Sequence, residues 1–334
     1  MMLAESTEPL CEAFDLALVD LDGVAYRGPL PVDHAASSLG AARAAGLRLA
    51  FVTNNASREP EEVADHLSRL DIPAGADDVM TAAQAAAEVL ATRLARGDRV
   101  LVVGGAGLVT AVRAKGFAVV SSADEEPVAV VQGFAPDVGW RHLAQAAYAI
   151  QRGAWHVASN RDMTLPNELG LAPGNGALVE VVRAATGVEP VSAGKPSPAL
   201  FRLAVERFGG KRTLVVGDRL DTDLAGARAA GFPGLHVLTG VSTARDAVLA
   251  KPGERPSFLG ADLRSLLEPH PVPVLRDGWW ACRDAAARVV DDSLEMRDAG
   301  DSLDRVRVAC AAAWSAADAG RALTAGTLPD LGVV

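Results

Sequence analysis

An apolar run that ends in paired acids constrains this chain more than any other stretch. Phe14-Asp15-Leu16-Ala17-Leu18-Val19 leads into Asp20-Leu21-Asp22-Gly23-Val24. A short, nearly continuous apolar run suits a strand buried on both faces, and such strands belong to parallel sheets covered by helices. Open α/β folds keep their chemistry at the carboxyl ends of those strands. An Asp-x-Asp-Gly turn at that point sets two carboxylates at different depths past the strand. Asp20 is placed to act as nucleophile and metal ligand, and Asp22 as acid/base. An aspartate that attacks phosphorus divides one hard displacement into two easier ones. Acid-rich turns are common, so merely solvated or capping acids are the competing reading, and partners elsewhere in the chain must decide.

Two later stretches supply those partners. Val32 to Ala45 is helical in pattern and stops at Gly46, and Leu47 to Val52 reads as a second buried strand, giving a βαβ unit. It ends in Thr53-Asn54-Asn55-Ala56-Ser57-Arg58, before a helix that starts near Pro60-Glu61-Glu62, where proline and acids suit a first turn. Short connections favour neighbouring strands, which would set Thr53 beside Asp20. Its hydroxyl and the amides after it can grip a phosphoryl oxygen, or simply cap the next helix. Further on, Lys195 stands in the rigid turn Gly194-Lys195-Pro196-Ser197-Pro198, and Thr213 to Gly217 is a third apolar strand, followed by Asp218, Asp221 and Asp223. Grouped acids are costly to hold together unless a cation or a lysine neutralises them. Mg²⁺ takes about six oxygens and keeps several waters, so Asp20, the main-chain carbonyl of Asp22 and Asp218 would suffice as ligands. Asp223 is expected to orient Lys195 or a metal-bound water, and Asp221 is left undecided.

From about Thr81 the chain leaves that sheet. A helix from Thr81 to Arg96, strands at Arg99–Val103, Val128–Val131 and Trp155–Ala158, and a helix from Val138 to Gln151 make an independent small α/β domain. Gly104-Gly105-Ala106-Gly107 lacks the full dinucleotide spacing. Ser159 to Gly176 reads as a long polar loop, either a lid that touches substrate or a connector, before a helix from Ala177 to Thr186. After the stiff linker Pro269-His270-Pro271-Val272-Pro273, Trp279–Val290 and Leu303–Ala317 read as two amphipathic helices. Their tryptophans serve as packing anchors or as a patch for a partner. The expected division is a core of residues 1–80 and 190–262, a cap of 81–189 and a helical extension of 263–334.

A net charge of −10 argues against nucleic-acid or anionic-lipid partners, whereas a bound cation would invert the field locally for a phosphorylated small molecule. The chain shows no apolar span of membrane length, and its first residues carry acids where a signal peptide needs a basic region. Cys11, Cys282 and Cys310 have no metal spacing, which suits free thiols in a reducing compartment. Cytoplasmic residence is expected. Apolar faces on the cap and tail leave a homo-oligomer open.

Asp20-Leu21-Asp22-Gly23-Val24, Val52-Thr53-Asn54-Asn55, Gly194-Lys195-Pro196 and Gly217-Asp218-Arg219-Leu220-Asp221-Thr222-Asp223 resemble, in order, the four motifs of the haloacid dehalogenase superfamily. The likeness runs from residue 14 to residue 262. The insertion is similar to the C2-type cap of the branch that contains NagD, phosphoglycolate phosphatase and 4-nitrophenylphosphatase, and residues 160–176 resemble that cap's substrate loop. The resemblance implies a Rossmann-like, doubly wound parallel core with an inserted α/β cap. It also implies Mg²⁺-dependent hydrolysis of a small phosphomonoester through an aspartyl-phosphate on Asp20. Asp22 would protonate the leaving alkoxide and then deprotonate water, while Thr53, the Asn54 amide and Lys195 would neutralise phosphoryl charge. Asn55, Arg58 and Asn160 are candidates for holding the leaving group, although Arg58 can equally pair with Glu61 or Glu62. The appended double tryptophan is similar to that of the branch's glycerol 3-phosphate phosphatases. Glycerol 3-phosphate is therefore the expected substrate, with 2-phosphoglycolate, sugar phosphates and nucleotides behind it. A phosphomutase and a non-catalytic phosphometabolite-binding scaffold are the competing readings.

Overall fold

The computed structural model describes residues 2–167, 169–297 and 300–331. It forms two compact units, Met1–Leu49 with Phe208–Val334, and Ala50–Arg207.

In the first unit the strands Leu16–Val19, Thr213–Gly217, Gly234–Val237 and Phe258–Gly260 lie side by side in that order, all parallel. Every residue of the four is buried, as a sheet covered on both faces requires. The register pairs Val19 with Val216, so the first and second of these strands end within one residue of each other.

The tail departs from expectation. Leu303–Ala317 lies within a helix, Ser302–Asp318, capped by the Asp301 carboxylate, which accepts from the Leu303 amide at 2.8 Å. Trp279–Val290, however, is strand and not helix. Val274–Arg276, Trp279–Cys282, Ala285–Val290 and Ser293–Arg297 form a four-stranded antiparallel sheet. Its two-residue turns explain the switch. Asp277 and Gly278 have φ of 49° and 78°, and Asp291 and Asp292 have 45° and 59°, the paired positive values that close a hairpin tightly. Trp279 lies against the guanidiniums of Arg288 and Arg297, at 4.4 and 4.3 Å from the ring centroid, a cross-strand contact worth about 0.5–1 kcal/mol each. Sheet and helix share one apolar cluster with the parallel-sheet side, which brings Ala285, Ala287 and Leu294 together with Val306, Trp314, Ala247 and Leu259. Trp314 is 1% exposed, and truncating such a side chain costs about 3–5 kcal/mol. All three cysteines are buried free thiols.

In the second unit Phe51, Val52 and Thr53, the end of the strand Arg48–Thr53, pair in parallel with Val79–Thr81 through a connection that contains the helix Pro60–Arg69. This unit also holds a separate parallel sheet in the order Val191–Ser192, Trp155–Ala158, Ala129–Gln132, Arg99–Val103 and Ala118–Val120. The helices Trp140–Gln151 and Asn175–Thr186 cover that sheet through Leu143, Ile150 and Val182. The expected polar loop of 159–176 contains an antiparallel hairpin, Thr164–Asn167 with Gly170–Pro173. Its prolines mimic a loop in sequence, but proline is tolerated in a two-stranded ribbon where its missing N–H faces away from the partner. No described helix is long and apolar enough to cross a membrane.

Two buried histidines give the fold an acid limit. His156 Nε2 lies 3.2 Å from Gln132 Oε1, and His270 Nε2 lies 2.7 Å from the Ser265 carbonyl. Burial pushes both from 6.5 down to about 4. Between those values the unfolded chain binds the extra proton and the folded chain does not. Stability is therefore full above about pH 6.5 and falls with falling pH by about 1.4 kcal/mol per unit for each histidine. Urea midpoints measured through this window should show the slope, and His270→Gln should remove one histidine's share of it, the shares of His156 and His236 remaining.

Candidate active site

In the first unit, neighbouring strand ends carry the acids. Asp20 follows Val19 and donates its amide to the Val216 carbonyl at 2.8 Å, and Asp218 follows Gly217 on the adjacent strand. Asp223 arrives from the next turn, Leu220–Leu224, a single π-helical turn that opens the helix Ala225–Ala230. Such turns are frequent at functional sites. Carboxylate oxygens of Asp20, Asp218 and Asp223 lie within 4.8 Å of one another. Asp218 and Asp223 are buried and Asp20 partly so. Asp221 turns away and pairs with Arg219 at 2.8 Å.

Backbone groups aim these acids. The Val241 amide donates to Asp218 Oδ2 at 2.6 Å, the Ser242 amide donates to the Asp218 carbonyl at 3.2 Å, and the Arg219 amide donates to Asp223 Oδ2 at 3.1 Å. His236 Nε2 sits 3.2 Å from the Asp218 carbonyl. A carbonyl only accepts, so that nitrogen carries the proton. Burial pushes the His236 pKa down to about 4, leaving the ring neutral. Gly23, at φ 83°, and Gly240 both approach so closely that a Cβ on either would overlap the Asp218 carboxylate. Asp22 is exposed on a turn pinned by the Gly23 amide to the Tyr26 carbonyl at 2.8 Å and by Thr239 Oγ1 to the Gly23 carbonyl at 2.6 Å.

Three oxygen donors without histidine or thiolate suit a hard divalent cation. Sequence reading gave Asp223 an orienting role; the structure sets its carboxylate in the same group as Asp20 and Asp218, as a further candidate ligand.

In the second unit, Thr53 ends its strand buried, and its Oγ1 accepts from the Asn55 amide at 3.0 Å. The Asn54 side chain clasps Lys195: Oδ1 accepts from the Lys195 amide at 2.8 Å, and Nδ2 donates to the Lys195 carbonyl at 3.1 Å. The same Nδ2 reaches the Asp162 carboxylate at 3.0 Å. Lys195 is 3% exposed, with Nζ 3.4 Å from the Val52 carbonyl. Asn160 Nδ2 donates to the Asn54 carbonyl at 2.7 Å, and Asn55 Oδ1 accepts from the Ser57 amide at 2.8 Å. Asn55 thus has its Oδ1 spent within its own loop and Asn54 and Asn160 have side-chain groups spent on contacts between loops, while Arg58 is exposed. Arg161 ties the same loop to Glu180 at 2.8 Å and to Glu189.

Sequence reading missed Asp162, Thr239, Gly240, Val241, Ser242 and His236. For Val241 and Ser242 the working group toward Asp218 is a backbone amide, which residue type does not reveal. Gly240, three residues past the end of the buried strand Gly234–Val237, was the available signal.

The model of the haloacid dehalogenase-like hydrolase family matches residues 17–118, and a HAD-hydrolase-like model matches residues 192–266. A D-glycerol 3-phosphate phosphatase of Mycobacterium tuberculosis is 48% identical over 92% of this chain and 88% of its own. An acid sugar phosphatase of Staphylococcus saprophyticus is 37% identical over 75% of this chain and 96% of its own. A crystal structure of a glycerol phosphate phosphatase from M. tuberculosis in complex with magnesium superimposes with a TM-score of 0.85 at 45% identity, covering 93% of this chain and 92% of that one. With the acids at adjacent strand ends and these likenesses along nearly the whole length, the chain belongs to the haloacid dehalogenase-like hydrolase family.

Proposed function

We propose that the protein is a Mg²⁺-dependent phosphatase that hydrolyses glycerol 3-phosphate through an aspartyl-phosphate on Asp20. The observation that carries the proposal is the grouping of the Asp20, Asp218 and Asp223 carboxylates within 4.8 Å. The likeness to the M. tuberculosis phosphatase spans 315 residues, against 253 for the acid sugar phosphatase, which supports glycerol 3-phosphate over a sugar phosphate. Residues 81–189 are assigned as the cap that selects the leaving group, and three free thiols suit a reducing cytoplasm.

Asp20, Asp218 and the Asp22 carbonyl would hold the ion, with Asp223 either joining them or orienting a water. When bound, the ion supplies the positive charge that lets an anionic nucleophile approach an anionic ester. An Asp20 oxygen attacks phosphorus, the P–O bond to glycerol breaks, and Asp22 gives its proton to the departing oxygen. Asp22, now ionised, takes a proton from water, whose oxygen attacks phosphorus and releases Asp20 and inorganic phosphate. Thr53, the Asn54 amide and Lys195 offset charge on the phosphoryl oxygens. Asn55, Arg58 and Asn160 remain the candidates for contacts to the glycerol end, the first and last through whatever hydrogen-bonding capacity their loops leave.

Phosphate release should be measured on glycerol 3-phosphate, 2-phosphoglycolate, a hexose phosphate and a nucleotide, with Mg²⁺ and with chelator. The expected result is no turnover in chelator, recovery on adding Mg²⁺, and a kcat/KM for glycerol 3-phosphate at least about tenfold above the rest. Equal values on every ester would remove the substrate assignment and leave the chemistry standing. An isomerised phosphoester without released phosphate would instead indicate a mutase.

A further inference from the structure

The loop that aims Asp218 runs straight into a very short helix. Gly240-Val241-Ser242 supplies the contacts to Asp218, Ser242 Oγ also accepts from the Leu220 amide at 3.1 Å, and the helix Ala244–Val248 begins two residues later. Five residues are too few for a helix to hold itself. Its own cap, Thr243 with Asp246, fixes only its first turn.

The rest of its support comes from the appended segment. Trp314 Nε1 donates to the Ala247 carbonyl at 3.0 Å from inside the shared core. Arg245, at the surface, donates to the carbonyls of Ala325 at 2.6 Å and Pro329 at 3.2 Å. The helix Ser302–Asp318 is in turn anchored to the parallel-sheet side. Arg307 Nη2 donates to the Leu259 carbonyl at 3.1 Å, and buried Arg255 pairs with Asp318 at 2.7 Å while lying over the Trp314 ring. Residues 307, 314 and 318 fall on one face at helical spacing.

We infer that the appended segment is part of the metal site: Trp314 and Arg245 are positioning residues that hold Ala244–Val248, and through Val241 the Asp218 carboxylate, in the geometry that receives the divalent ion. The inference rests on the reading of Asp218 as a ligand. Groups that orient a ligand tune the affinity of the metal, because an unaimed carboxylate must be ordered when the ion binds.

The test is Mg²⁺ binding by calorimetry on the full chain, with no substrate present, for wild type, Trp314→Phe, Arg245→Ala and Arg245→Lys. Trp314→Phe keeps an aromatic ring in the core and loses the N–H, and Arg245→Ala changes an exposed side chain. Both are expected to raise the Mg²⁺ Kd roughly tenfold, with KM for the ester unchanged and kcat recovered at saturating Mg²⁺. Arg245→Lys, which still offers an N–H to those carbonyls, should recover part of the affinity. Should Trp314→Phe not fold, Arg245→Ala decides alone. A lowered melting temperature with an unchanged Kd would overturn the inference and assign these contacts to stability only. Wild-type protein that binds no Mg²⁺ would overturn it through the assignment of Asp218 itself, and an unchanged wild-type Kd in Asp218→Asn would do the same.

Discussion

Asp20→Asn is expected to abolish turnover, by about four orders of magnitude or more, while leaving the fold intact. Removing a covalent nucleophile leaves only the rate that binding and electrostatics supply. The substitution preserves shape at the end of a fully buried strand, so circular dichroism and the urea midpoint should stay close to wild type. It also removes one of the three clustered negative charges. Mg²⁺ should therefore bind more weakly, but raising its concentration should not restore the rate, because a carboxamide does not attack phosphorus. Acid-quenched wild-type enzyme, sampled during turnover and digested, should carry phosphate on the peptide that contains Asp20; the variant should carry none. Residual activity within tenfold of wild type, or phosphate on a different residue, would falsify the assignment.

Parts of this arrangement are legible in residue types. Leu16–Val19 and Thr213–Gly217 are buried on every residue, so their apolar runs state both the strand and its parallel partners. Acids after one such run could be merely solvated, and it is their recurrence after a second run that lets Asp20 and Asp218 be paired across nearly 200 residues of sequence. Asp223 is less readable. Its carboxylate joins the group because Leu220–Leu224 makes a π turn, a rotation that hydrophobic periodicity does not encode.

The tail misleads for a related reason. Ala285, Ala286 and Ala287 suit a helix by propensity, yet the positive φ values at Asp291 and Asp292 and the packing of Trp279 on two arginines select strands. Tertiary contacts outweigh weak local preference there. In Ser159–Gly176 the prolines and glycines mark breaks in the pattern but do not reveal that two short stretches pair with each other. From its own segment Lys195 is readable only as a residue in a rigid turn, and its role toward a phosphoryl group comes from the resemblance of the four ordered motifs. That Asn54 grips its backbone from both sides depends on segments 141 residues apart, which the sequence does not align.

Gly240→Ala tests the aiming of the cluster without touching a carboxylate. At that position the backbone passes against Asp218 with no room for a side chain: an added Cβ would overlap Oδ2 and the carboxyl carbon, and Gly23 closes in as well, the Cβ position of Gly23 lying 3.1 Å from the Gly240 Cα. Neither backbone can yield easily, since the Val241 amide is bonded to the same carboxylate at 2.6 Å. The added methyl is therefore expected to turn Asp218 away from Asp20 and Asp223. Mg²⁺ affinity should fall by about 10–100-fold. kcat/KM at limiting Mg²⁺ should fall at least as far, and excess Mg²⁺ should restore only part of it. Stability should fall by about 1–3 kcal/mol, the usual scale for forcing a methyl against a buried side chain such as Asp218. Gly253→Ala in the same unit is the matched control, because an added Cβ there meets nothing within 4 Å, and it should leave both constants unchanged. Wild-type Mg²⁺ affinity in Gly240→Ala would mean that Asp218 is not held where the ion binds, and the three-carboxylate site would have to be redrawn around Asp20 and Asp223 alone.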